Sequence, residues 1–137
     1  MCFNARSSIT TFFLVLCCSL YLYNRNYIYD RPLALMFFIV SLMQLAEFLM
    51  WYDLNCGQIN NIGSKFAFIV LCLEPLIITF VIYHYNISKI SKKYLKYIFF
   101  TYLIFFGYFI NRTILYRKQL CSLPSKKLKH LIWNYDP

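Results

Sequence analysis

Residues 33–52 read L-A-L-M-F-F-I-V-S-L-M-Q-L-A-E-F-L-M-W-Y, and this stretch decides the fold class. Glu47 is its single charged residue. At a rise of ~1.5 Å per residue such a run crosses the ~30 Å hydrocarbon core of a bilayer as one helix. Arg31-Pro32 precedes it, and a proline in the first turn removes no helical hydrogen bond, so it marks an entry. Trp51 and Tyr52 close it, where amphipathic rings favour the interface.

Working outward, three more apolar runs cover residues 9–23, 66–85 and 94–116. The first follows Arg6 and Ser7-Ser8 and has no small-residue cleavage site behind it, so it reads as a retained signal-anchor helix. Residues 53–64, with Gly57, Asn60, Asn61 and Gly63, read as a polar loop. Lys89, Lys92, Lys93 and Lys96 surround the junction between the last two runs. The expectation is an all-α integral membrane bundle of about four transmembrane helices, forming a single domain over residues 1–137. Residues 117–137 form a basic tail whose Leu128, Leu131, Ile132 and Trp133 suit a membrane surface.

Composition points the same way. Of 137 residues, 61% are hydrophobic and 14% charged, against about 45–50% and ~25% in soluble domains. A chain this short has too much surface for its volume to hide that much apolar side chain from water. The net charge of +9 sits mostly beside apolar runs, which argues for lipid headgroups rather than nucleic acid as partner. The expected partners are the bilayer and its anionic headgroups, and self-association is compatible with the pattern. The lysine-rich junction argues for a cytoplasmic location, with the N-terminus outside. Four crossings then put the basic tail outside too, against the charge rule.

Little in the chain carries chemistry. It has no nucleophile–base pair, phosphate loop or metal-ligand spacing, so an intramembrane enzyme is the least supported of the readings and no cofactor is expected. His84 lies among tyrosines at a run's end and His130 in the lysine-rich tail. Cys17, Cys18 and Cys72 fall inside apolar runs, as small packing residues do. Cys56 and Cys121 fall outside them, and a disulfide is open to them in an oxidising compartment.

Two of the five acidic residues, Glu47 and Glu74, lie within apolar runs, where a charged carboxylate costs about 2.5–3.5 kcal/mol even on the lenient insertion scale. Gln44, Glu47 and Trp51 share a helical face, extended one turn by Ser41. Glu74 precedes Pro75, whose missing N–H leaves the Leu71 carbonyl without its helical partner. Counted from the polar loop, Gln44 and Glu74 lie at roughly equal depth, with Glu47 a turn nearer the loop. One reading is a buried polar site of Gln44, Glu47 and Glu74 that holds a proton, cation or small solute. The other is that the same groups hydrogen-bond helix to helix and only lock the packing.

The stretch Ser41–Trp51, with Gln44, Glu47 and Trp51, followed by Cys56, Asn60 and Pro75, resembles a family of polytopic membrane proteins from giant DNA viruses and some microbes. The resemblance covers residues 38 to 80. It implies a viral or organellar membrane and relatives with more than four helices. It supports Glu47, does not extend to Glu74, and implies no activity.

Overall fold

The computed structural model describes residues 4–87, 89–115, 120–125 and 130–134, leaving aside the side chains of 113–115 and 133–134. Four helices, α1 (Ala5–Arg25), α2 (Asp30–Tyr52), α3 (Gln58–Tyr85) and α4 (Lys92–Leu115), are followed by short strands β1 (Cys121–Pro124) and β2 (Leu131–Asn134). The helices form an up-and-down bundle in which each packs on the one before it, α1 on α2 most extensively and α4 on α3. Three of them, α1 to α3, are long and apolar enough to cross a membrane. The chain is a membrane protein built as a helical bundle.

Helix boundaries follow local chemistry. Asn4 caps α1 by accepting the Ser7 N–H at 2.8 Å. Asn26 and Asn86 end α1 and α3 with left-handed backbones, φ 57° and 52°, a conformation asparagine tolerates better than most residues. The polar segment 53–64 is not wholly a loop, because α3 begins at Gln58 and is helical through it. Asp53 accounts for the early start. Its Oδ2 accepts the Asn60 N–H at 3.2 Å, so a carboxylate sits at the positive end of the helix. Gly57 precedes the first turn, and a Cβ there would collide with that carboxylate. Helix α3 then continues across Pro75 to Tyr85.

Between helices, small residues set the spacing. Ser8 and Ser19 are the buried residues of α1, and Ser19 Oγ donates to the Ala34 carbonyl of α2 at 2.7 Å. Gly63 brings α3 close to α2, since a Cβ there would lie 2.9 Å from Leu49 Cβ and 3.1 Å from the Ala46 carbonyl oxygen. In lipid, where apolar burial alone drives little association, such close backbone approach is what holds helices together. The core comprises Ile39, Met43, Ala46 and Met50 of α2, Ala67 and Val70 of α3, and Leu131 of β2.

Leu131 reports a departure from the sequence reading. The basic tail is not a uniform surface segment, because β1 and β2 form an antiparallel hairpin that folds back onto α2 and α3. Leu131 is 3% exposed within the core, while Ile132, next along the strand, is exposed. That alternation is the period-two pattern of a half-buried strand. Leu128 and the lysines of 126–129 lie outside the described residues.

Candidate functional site

Among the described residues the most elaborate polar arrangement is built around Asn60, which is fully buried in the first turn of α3. Its Nδ2 donates toward the carbonyls of Met50 (3.1 Å), Asp53 (3.0 Å) and Ser122 (2.9 Å). Its Oδ1 accepts from the Ser122 N–H (2.9 Å) and from Ser64 Oγ (3.3 Å). The carboxamide thus meets both the N–H and the C=O of Ser122, as a neighbouring strand would, and covers an edge of β1. Ser64 Oγ and Ser122 Oγ are 2.8 Å apart, and both residues are buried. Beside them, Asn61 Oδ1 accepts the Leu120 N–H at 3.0 Å.

A covalent bond closes the cluster. Cys56 and Cys121 form a disulfide, with Cα atoms 5.2 Å apart and a sequence separation of 65. The end of α2, the start of α3 and the hairpin are therefore joined by one S–S bond and a set of buried hydrogen bonds. Sequence reasoning missed Asn60, Ser64 and Ser122 as a unit. The available signal was the spacing of Asn60 and Ser64, one turn apart on a face that also carries Gly63. Nothing local pointed to Ser122.

The residues singled out from sequence distribute as follows. Glu47 is 2% exposed on α2, and Gln44 and Trp51 are half-buried on the same helix. All three interact with neighbouring groups. Ser41 is fully buried, with its hydroxyl on its own helix, donating to the Phe38 carbonyl at 2.6 Å. Glu74 and Pro75 are half-buried on α3.

The expected level arrangement of Gln44 and Glu74 is overturned by the helix register. Gly63 packs against Ala46–Met50, and Asn60 reaches Met50, so Glu47 lies level with Gly63 and Ser64. Glu74 is ten residues beyond Ser64, roughly 15 Å farther along α3. The count from the loop fails because α3 starts eight residues before its apolar run begins at 66. That register separates the two carboxylates along the helices. Glu47 lies level with the Ser64 end of the Asn60–Ser64–Ser122 cluster, about one turn from Asn60.

At the opposite end of the bundle the chain is tied by charge. Arg25 Nε and Nη2 meet Asp30 Oδ2 and Oδ1 at 2.6 and 2.7 Å, and the Tyr27 N–H adds a third bond to Asp30 at 3.0 Å. The Arg25 guanidinium also lies over the rings of Tyr21 and Tyr27. His84, at the same end, is exposed and stacked on Phe80. Among the described residues no group of three His, Cys, Asp or Glu side chains is placed to hold a metal ion. Comparison with known proteins adds no relative: no family model, curated protein or solved structure matches the chain.

Proposed function

We propose that the chain is a multi-pass membrane protein with a structural or interaction role, presenting a rigid cap on the oxidising side of its membrane. The observation that carries this reading is the complete burial of Asn60, whose carboxamide and the adjoining Cys56–Cys121 bond clamp the hairpin to α2 and α3. An immobilised extramembrane surface suits recognition of a partner better than passage of a solute. Helix α4 crosses with the other three, and the lysines at 89, 92, 93 and 96 face anionic headgroups on the cytoplasmic side. Two separate considerations support that orientation. Disulfides persist in oxidising compartments, and basic residues concentrate on the cytoplasmic side. A viral or organellar membrane is the setting that the sequence resemblance suggests.

A second reading, proton or cation handling through Glu47 and Gln44, is favoured by one observation, an acid 2% exposed within an apolar helix. Proteoliposomes carrying wild type or Glu47→Gln separate the two. A structural role predicts normal assembly of Glu47→Gln and leak-level proton and cation flux in both. Wild-type flux well above leak, abolished by Glu47→Gln, would replace the structural reading with the second.

A further inference from the structure

We propose that the groove between α3 and α4 is a binding site for an anionic phospholipid, with its phosphate on Lys92 and Lys96 and an acyl chain along the groove. A cavity of about 370 Å³ lies between the two helices, within the ~300–1,000 Å³ range of small-molecule sites. Thr79, Phe80 and Tyr83 line it from α3, and Lys96, Phe99 and Phe100 from α4. Leu95, also on the lining, is 5% exposed. The walls are mostly apolar, and the Thr79 hydroxyl is already committed, donating to the Pro75 carbonyl at 2.7 Å.

Charge is concentrated at one end. The ammonium groups of Lys92 and Lys96 lie 5.6 and 6.0 Å from the centre of the Tyr83 ring. Among the described residues neither lysine has a carboxylate partner. Tyr83 belongs to the last turn of α3, and Lys92 opens α4, so the charged end coincides with the helix ends. Thr79 and Phe100 lie about one turn, ~5–6 Å, deeper. A ligand fitting this polarity carries an anion at the membrane boundary and a hydrocarbon chain pointing inward, which is the form of an anionic phospholipid. Free phosphate would leave the aromatic walls uncovered. Since α4 packs chiefly on α3 among the described residues, the groove opens to the surrounding bilayer.

This inference rests on the reading that α3 and α4 cross the membrane with these ends on the anionic leaflet. The test uses the full chain, purified in detergent and mixed with equal phosphatidylglycerol and phosphatidylcholine of identical acyl chains. Retained lipid is read by native mass spectrometry. Wild type is expected to retain phosphatidylglycerol with about tenfold preference, from two favourable lysine contacts. Lys92→Gln/Lys96→Gln loses the preference, while the charge-matched Lys89→Gln/Lys93→Gln keeps it. Persistence of the Cys56–Cys121 bond on non-reducing gels reports that each variant folds. Equal loss in both double variants would indicate a general basic belt and overturn the site. Absence of preference in wild type, or displacement of the lipid by millimolar inorganic phosphate, would overturn it equally. Release of the chain from membranes by alkaline carbonate would instead break the membrane reading itself.

Discussion

The two ends of the bundle are fastened by different physics. At one end, Arg25 and Asp30 are five residues apart and close the α1–α2 turn with a forked ion pair. At the other, Cys56 and Asn60 reach Cys121 and Ser122 across more than sixty residues of chain. The first lock fixes a connection that four-residue geometry already favours. The second brings together segments that would otherwise be independent, so it determines where the β1–β2 hairpin lies. A local charge pair and a long-range clamp thus contribute unequally to the fold even though each occupies one end of the helices.

Removing the disulfide is the harshest way to probe that inequality. Cys121→Ser and Cys56→Ser should each destabilise the protein by up to roughly 4 kcal/mol, the loop-closure entropy of a 65-residue loop in the chain-entropy model. The observed loss will be smaller to the extent that α3 and α4 stay helical in detergent when the hairpin detaches. Thermal unfolding of wild type with and without reductant, beside each serine variant, measures it. A change below about 1 kcal/mol in every arm would mean that the hydrogen bonds alone hold the hairpin, and the contrast between the ends would shrink to one of geometry.

Asn60→Ala is the next largest expected effect. It strips partners from the Ser122 N–H, from the buried carbonyls of Met50 and Ser122, and from the half-buried carbonyl of Asp53. Buried polar groups left unpaired cost about 1–3 kcal/mol each where water cannot reach them. Partial rescue by water brings the expected total to roughly 2–4 kcal/mol. Detergent-unfolding midpoints give the number. Amide exchange at Ser122 should rise by orders of magnitude while exchange at Asp30 is unchanged. If both ends loosen together, they form one cooperative unit, and treating them as separate locks is wrong.

The ease of reading each lock from sequence follows the same division. The apolar helices were legible because a run of twenty-odd apolar residues around Glu47 finds its most favourable solvent in lipid. The burial of Glu47 followed from the same premise. What failed were statements that depended on tertiary register. Segment 53–64 is polar enough to pass for a loop, yet Asp53 caps it and its buried face is satisfied by Ser122, a partner 62 positions beyond Asn60. Once α3 begins at Gln58, every depth counted from a later start shifts by about two turns, and Glu74 moves away from Gln44. The hairpin was hidden for a related reason. Strands of four residues with a proline in one of them carry almost no periodic signal, and their edge is completed by an asparagine side chain rather than by a third strand.

The smallest effect is expected at the charge-locked end, from Asp30→Asn. The substitution removes both arms of the ion pair with Arg25, but an amide oxygen at the same place can still accept the Tyr27 N–H. Arg25 keeps its contacts with the faces of Tyr21 and Tyr27, which hold its stem in place without the carboxylate. Helices α1 and α2 also remain joined by the Ser19–Ala34 bond well inside the bundle. The loss should therefore stay local. Amide exchange should quicken at Tyr27, Asp30 and Leu33, where the turn closes, and stay slow at Asn60 and Ser122. Raising the salt concentration should quicken the same wild-type amides in part, because one member of the pair is 39% exposed and open to screening. A fall in global unfolding midpoint as large as that of Asn60→Ala would contradict this ranking, because it would make the short ion pair as decisive for the fold as the clamp that spans it.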